Sequence, residues 1–311
     1  MTRRLFLRVA PAIAAGLLST QCRGGTAASV EQVPDRRSAS SFPYNLNQPD
    51  ERFVLPPALA EISGLTDLPS DRVACVQDED GVIHVYDLKS RKVVREIPFG
   101  APGDYEGISA ADGRFFVLRS DGVLYAVKDD AGRASPEVHD LALPTSDNEG
   151  LAYDAKHRRL LIAPKSRVGT GKATKFDRVL FAFDLESRAL VPDPVLEWSV
   201  ADVMAFAESR GLRLPMSPRK AGDMRVALRL LPASVAVHPI TDEIYALSAV
   251  DSVLVSLNRS GAVTGYALLD RRLHRQPEGI TFTSSGDMLI SNEGAGGAPL
   301  LFLFRWKPGK G

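Results

Sequence analysis

Five short phrases recur along the chain: "ISGL" at 62–65, "YEGI" at 105–108, "NEGL" at 148–151, "ASVA" at 233–236 and "PEGI" at 277–280. Their starts lie 43, 43, 85 and 44 residues apart, and such regular spacing restricts the chain to an array of like units. The same signals follow each phrase: a turn, an apolar strand, a polar loop, a second apolar strand and then a third. In the first unit the strands are "RVACVQ", "GVIHVYDL" and "VVREIPF"; in the third they are "RLLIAP", "RVLFAFDL" and "VLEWSV". With the phrase itself as the innermost strand, each unit holds four strands. A period of about 40 to 50 residues with four strands is a propeller blade. The expected fold is therefore all-β, a β-propeller of four-stranded blades.

The fifth unit stops at Trp306 one strand short, and "ERFVLP" at 51–56 can supply the missing outer strand. The 85-residue interval needs its own explanation. Between Ala201 and Leu231, "ADVMAFAESRGLRLP" and "RKAGDMRVALRLLP" read as helical, with Asp202 suited to capping and Val203, Phe206 and Ala207 on one face. Five blades with a helical insertion near 201–231, folded over one mouth of the ring, is the expected arrangement. Six blades with one degenerate unit is the alternative.

The first 22 residues differ in kind. "TRRLFLRVAPAIAAGLLSTQC" has a basic start, a short apolar run and small residues before Cys22, which is the layout of an export signal. Thr2, Arg3, Arg4, Phe6 and Leu7 match the twin-arginine pattern, with Arg8 in place of its lysine. Cys22 is a candidate lipidation site, although Leu18 and Gln21 depart from the usual lipobox; release into the periplasm and anchoring as a lipoprotein both remain open. Residues 23–47, rich in Gly, Ala, Ser, Pro and charge, read as a flexible linker, and 48–307 as a single propeller domain. Without Arg3, Arg4 and Arg8 the chain carries 35 basic and 38 acidic residues. It has no basic stripe, so no nucleic-acid partner is expected. Cys75 would be the one cysteine left besides Cys22, which argues against a disulfide framework and for a small buried hydrophobe.

In a propeller the innermost strands converge on the axis, which would place Ser63, Glu106, Glu149, Ser234 and Glu278 around one channel mouth. Glu106, Glu149 and Glu278 are the candidate metal ligands. Carboxylates drawn together raise one another's pKa unless a cation offsets them, and calcium suits an oxygen-only set better than zinc. Alternatively the glutamates only cap inner strands, and the glycines only permit a close bend. A second ring is expected after the next strand, from Gln77, Asp78 and Glu79, then Arg119 and Ser120, Lys165, Ser248 and Asp251, and Asn292 and Glu293. Nucleophile motifs are poor: there is no G-x-S-x-G, and "GTGK" at 169–172 lacks the frame of a phosphate loop.

The phrases "EISGLT", "DYEGIS", "NEGLAYD" and "QPEGITFTSSGDMLISNEG" resemble the SdiA-regulated, YjiK-like family of bacterial extracytoplasmic β-propellers, over about Glu61 to Trp306. That family is similar to phytase-like and gluconolactonase-type propellers. The resemblance implies calcium binding at Glu106, Glu149 and Glu278, with Ser63 at the matching place. The fourth phrase, "SVAV", departs from the pattern. The expected function is that of an exported calcium-binding module, acting as a binder or scaffold toward a small-molecule or protein ligand at the mouth. The alternative is a metal-dependent hydrolase of phosphate esters or lactones, with Glu293 or Asp78 as base.

Overall fold

A computed structural model of the chain describes residues 40–128, 136–168, 177–219 and 222–308. The segment read as an export signal, Cys22 and the segment read as a linker up to residue 39 lie outside the described residues, as does "GTGK".

The elements follow in chain order. After β1 (Glu51–Val54) come four-stranded sheets formed by β2 (Ile62–Leu68), β3 (Arg72–Gln77), β4 (Val82–Asp87) and β5 (Lys92–Pro98), then by β6 (Tyr105–Ala111), β7 (Arg114–Arg119), β8 (Val123–Lys128) and β9 (Glu137–Asp140). The third sheet has β10 (Asn148–Asp154), β11 (Arg159–Pro164) and β12 (Asp177–Asp184). Its outer edge is split between β13 (Ala189–Leu190) and β14 (Leu196–Ser199), both paired with β12. Helix α1 (Val200–Ser209) and a hairpin of β15 (Met216–Pro218) and β16 (Met224–Val226) precede the fourth sheet, β17 (Ser234–Val237), β18 (Ile244–Ser248), β19 (Val253–Leu257) and β20 (Val263–Leu268). The fifth sheet has β21 (Pro277–Phe282), β22 (Met288–Asn292) and β23 (Leu300–Phe304), and β1 completes it by pairing antiparallel with β23. The inner strands β2, β6, β10, β17 and β21 touch in turn, and β21 returns to β2, so five blades close a ring.

Alternation along each strand explains how the ring is held. Val73 and Cys75 of β3 pack against Leu289, Leu301 and Phe53 of the fifth blade, whereas Ala74 and Val76 pack against Ile108, Phe115 and Val117 of the second. Successive side chains point to opposite faces, so a strand buried on both sides reads as a continuous apolar run. Each of the five blade-to-blade interfaces carries its own apolar cluster in this way. Cys75 is a fully buried component of one of them, with burial pushing its thiol up to about 12, as expected of a packing residue.

Two expectations about the flanking segments are corrected. The segment read as linker is already part of the folded body from Ser40 onward. Tyr44 and Leu46 are buried between the fourth and fifth blades, the Tyr44 hydroxyl donates to the Gly286 carbonyl at 2.7 Å, and the Ser41 amide donates to Tyr266. The 201–231 insertion holds one helix rather than two. In α1 the cap is Ser199, whose hydroxyl accepts from the Asp202 amide at 3.0 Å and donates to the Asp202 carboxylate at 2.7 Å, so Asp202 stands at the third helical position. The second expected helix is the hairpin and its extension. Met224, Val226, Leu228 and Leu230 recur every second residue, which is the period of an extended chain, and burial deepens along that series. The helix does not cover the mouth either; it packs on β14 and β20, strands of the third and fourth blades, through the buried Val203 and Ala207.

Candidate functional site

The repeated phrase has one structural cause in four blades. Pairing of the two inner strands shifts register between Ile62 and Gly64, between Tyr105 and Gly107, between Asn148 and Gly150, and between Pro277 and Gly279. Each shift skips one residue, namely Ser63, Glu106, Glu149 or Glu278, and so re-aims that side chain, as a β-bulge does. The glycine that follows lies where neighbouring inner strands meet. A Cβ on Gly64 would stand 2.9 Å from the Glu106 carbonyl oxygen, and one on Gly107 would stand 2.8 Å from the Glu149 carbonyl and 2.7 Å from the Leu151 Cβ. The glycine thus permits the close approach and the residue before it occupies the bulge. The fourth phrase has no glycine, and β17 pairs with β18 without a shift.

At the second-ring positions a backbone hydrogen bond recurs in the same four blades. The amides of Asp78, Ser120, Lys165 and Glu293, each just past the second strand, donate to the carbonyls of Glu61, Asp104, Asp147 and Gln276, each just ahead of the first strand, at 3.3, 2.9, 2.9 and 3.0 Å. Asn292 lies opposite Pro277, beside Glu278. Arg119 is not brought to the acidic group. Its guanidinium forms a two-pronged pair with Asp121 at 2.9 and 2.8 Å and donates to the Tyr125 hydroxyl, so Ser120 takes the ring position in that blade.

The two serines act between blades. Ser63 Oγ donates to the Tyr105 carbonyl at 2.6 Å, joining the first blade to the second, and Ser234 Oγ accepts from the Ile280 amide at 3.2 Å, joining the fourth to the fifth. In the fourth blade Ser248 and Asp251 hold the end of the insertion: Asp251 accepts from the Arg229 and Leu230 amides, and Ser248 from that of Leu231. The axial site is therefore built by the first, second, third and fifth blades.

Its electrostatics are those of crowded acids with little counter-charge. Burial, reinforced by Glu149 and Asp104, pushes the Glu106 carboxyl up to about 9. Burial also raises Glu278, with Lys165 and Gln276 pulling the other way. Glu293 is pushed up to about 7 by burial and by Glu278 and Asp78, and Asp78 up to about 6 by burial and by Glu61 and Glu79. Glu149 is 4% exposed and forms an ion pair with the ammonium of Lys165; burial holds its carboxyl above the ordinary range despite that ammonium. Burial opposes the charge on Lys165, but Glu149 outweighs it and the lysine stays charged. Gln276 was not singled out in the sequence. Its Nε2 donates to Glu293 at 2.5 Å, and its place two residues before Glu278, matching Asp104 and Asp147 in their blades, is the signal that could have found it.

Several polar atoms at this level have no partner among the described residues: both amide atoms of Asn292, which is 1% exposed, and Oδ1 of Asp78. Among the described residues no three acidic, histidine or cysteine side chains stand close enough together to cage a metal ion. The carboxyl groups offer oxygen donors, the kind a hard cation takes, without forming a cage among the described residues. An ion seated at Glu149 would displace Lys165, whose charge now serves that carboxylate.

No family model matches the chain, and no curated protein matches it. Solved structures do. The glutaminyl cyclase of Myxococcus xanthus aligns over 83% of this chain and 95% of its own, at 15% identity and a TM-score of 0.55. Streptogramin B lyase aligns over 82% and 97%, at 12% identity and a TM-score of 0.43. At 15% identity the likeness to the cyclase is one of fold, in keeping with the five-bladed β-propeller that the sheets of this chain form.

Proposed function

We propose that this propeller binds a cationic ligand in the axial carboxyl cluster, and that calcium is the simplest ligand of that kind. The reading is carried by one observation: Glu106, Glu149, Glu278, Glu293 and Asp78 are all held above the usual carboxylate range, with Lys165, among the described residues, the one cation acting on four of them. Buried acids in that state gain from an entering positive charge. The Asn292 amide and Asp78 Oδ1, buried without a partner among the described residues, support the same reading, since buried polar atoms are nearly always satisfied by protein, water or ligand. The resemblance to the SdiA-regulated, YjiK-like propellers supports the same reading, and with it a role as an exported binding module in the periplasm or, through Cys22, on a membrane surface. Calorimetric titration of calcium into the chelator-treated protein tests it. Binding should be present in the wild type and lost in the Glu106→Gln, Glu149→Gln, Glu278→Gln triple variant; absence of heat in the wild type removes calcium from the account.

A second reading, hydrolysis of a phosphate ester or lactone, is favoured by the juxtaposition of Glu106, which retains its proton at neutral pH, and the Lys165 ammonium. An acid and a fixed cation together can protonate a leaving group and steady a developing oxyanion. Turnover of a generic phosphate ester or lactone, lost in Glu106→Gln, would favour it over simple binding.

A further inference from the structure

A cavity of about 1170 Å³ lies away from the axis, between the hairpin of the insertion and the loops that leave β18 and β20. None of the axial carboxyls lines it, nor does Lys165. Five arginines do: Arg213, Arg225, Arg229, Arg271 and Arg272. Two acids face them. Asp251 is occupied by the Arg229 and Leu230 amides and the Ser248 hydroxyl, and Asp270 takes Arg272 at 3.2 and 3.0 Å. The side chains of Arg213 and Arg225 have no partner among the described residues, and Arg229 reaches no closer than 3.8 Å to Asp251. A protein with equal numbers of acidic and basic residues thus concentrates unspent positive charge in one cleft.

The floor of the cleft is held in place. Arg178, buried, donates to the Arg229 and Leu230 carbonyls, and Arg271 donates to the Val250 carbonyl at 2.8 Å. Between the arginines the lining is apolar, with Leu214, Met216 and Leu268, and Met216 is half exposed. The hairpin pairs with no other strand among the described residues, so it offers backbone edges as well.

We infer that this cleft binds an extended acidic peptide segment of a partner protein. Guanidinium groups pair with carboxylates through two parallel hydrogen bonds, and the apolar lining accepts the side chains between them. The cavity is larger than a single small anion fills.

The test is fluorescence anisotropy of a labelled short peptide alternating glutamate and alanine, with its lysine-for-glutamate counterpart as control. The acidic peptide should bind, more weakly as salt rises, and lose at least about tenfold in affinity in the Arg213→Glu, Arg225→Glu double variant. Both side chains are exposed, so the thermal midpoint should not move; the single Arg225→Ser variant gives the same readout with the smallest disturbance. Lys165→Met should bind the peptide like the wild type, which separates this site from the axial one. No binding of the acidic peptide, equal binding by the double variant, or binding only to phosphatidylglycerol vesicles would overturn the inference.

Discussion

The Lys165 ammonium rests on the Glu149 carboxylate at the mouth of the channel, one side chain from the second ring and one from the first. The pair joins two positions that the repeat supplies separately, because β10 and β11 are neighbours and Asn148 stands opposite Pro164. If calcium enters the axial cluster it competes with this ammonium.

Replacing the lysine tests the competition. Lys165→Met should raise calcium affinity by on the order of tenfold, because the ion no longer has to displace a resident charge. Titration calorimetry of wild type and variant side by side reads the difference. Unchanged affinity would mean that the ion and the lysine do not share Glu149.

The ligand-free protein should lose stability as the solution becomes alkaline. Glu106 has its carboxyl raised from 4.5 to about 9 by burial, so the folded state holds a proton that the unfolded chain releases. Such a group contributes full stability below the unfolded value and loses it as pH climbs through the folded one. Glu293 and Asp78 act with the same sign. Thermal unfolding in the presence of chelator should show a midpoint lower at pH 9 than at pH 5 by on the order of 5 °C, and Glu106→Gln should flatten that slope.

The glycine of the phrase can be tested without touching a carboxylate. A methyl group on Gly107 meets the Glu149 carbonyl and Leu151 of the next blade, in a place where backbone must give way. Gly107→Ala should cost about 1–3 kcal/mol in chemical denaturation.

On the opposite end of the third and fourth blades, fully buried Asp154 accepts from Arg259 at 2.9 and 3.1 Å and from Arg159 at 3.0 Å, with His157 at 3.0 Å. Asp154→Asn leaves those guanidinium groups without their shared anion and should cost about 3–5 kcal/mol. Adding Arg259→Met to the same chain should recover part of the loss, which a double-mutant cycle by urea unfolding measures.

Much of this was legible in the order of residues. A spacing near 43, a phrase ahead of each apolar triplet and a strand left over near Glu51 determined the blades, their number of strands and the closure of the ring, because strand periodicity and turn chemistry are local properties. The equivalence of Ser63, Glu106, Glu149 and Glu278 was readable for the same reason. What only the tertiary structure decided depends on which groups meet across blades. It assigned Lys165 rather than Arg119 to the acids, since Asp121, two residues away, claims the arginine. It made Ser63 and Ser234 into ties between blades. It turned the second half of the insertion into an extended hairpin, where burial of every second apolar residue prevails over helical preference, and it drew residues 40–47 onto the fourth and fifth blades, because Tyr44 and Leu46 find apolar surface there that no local pattern announces.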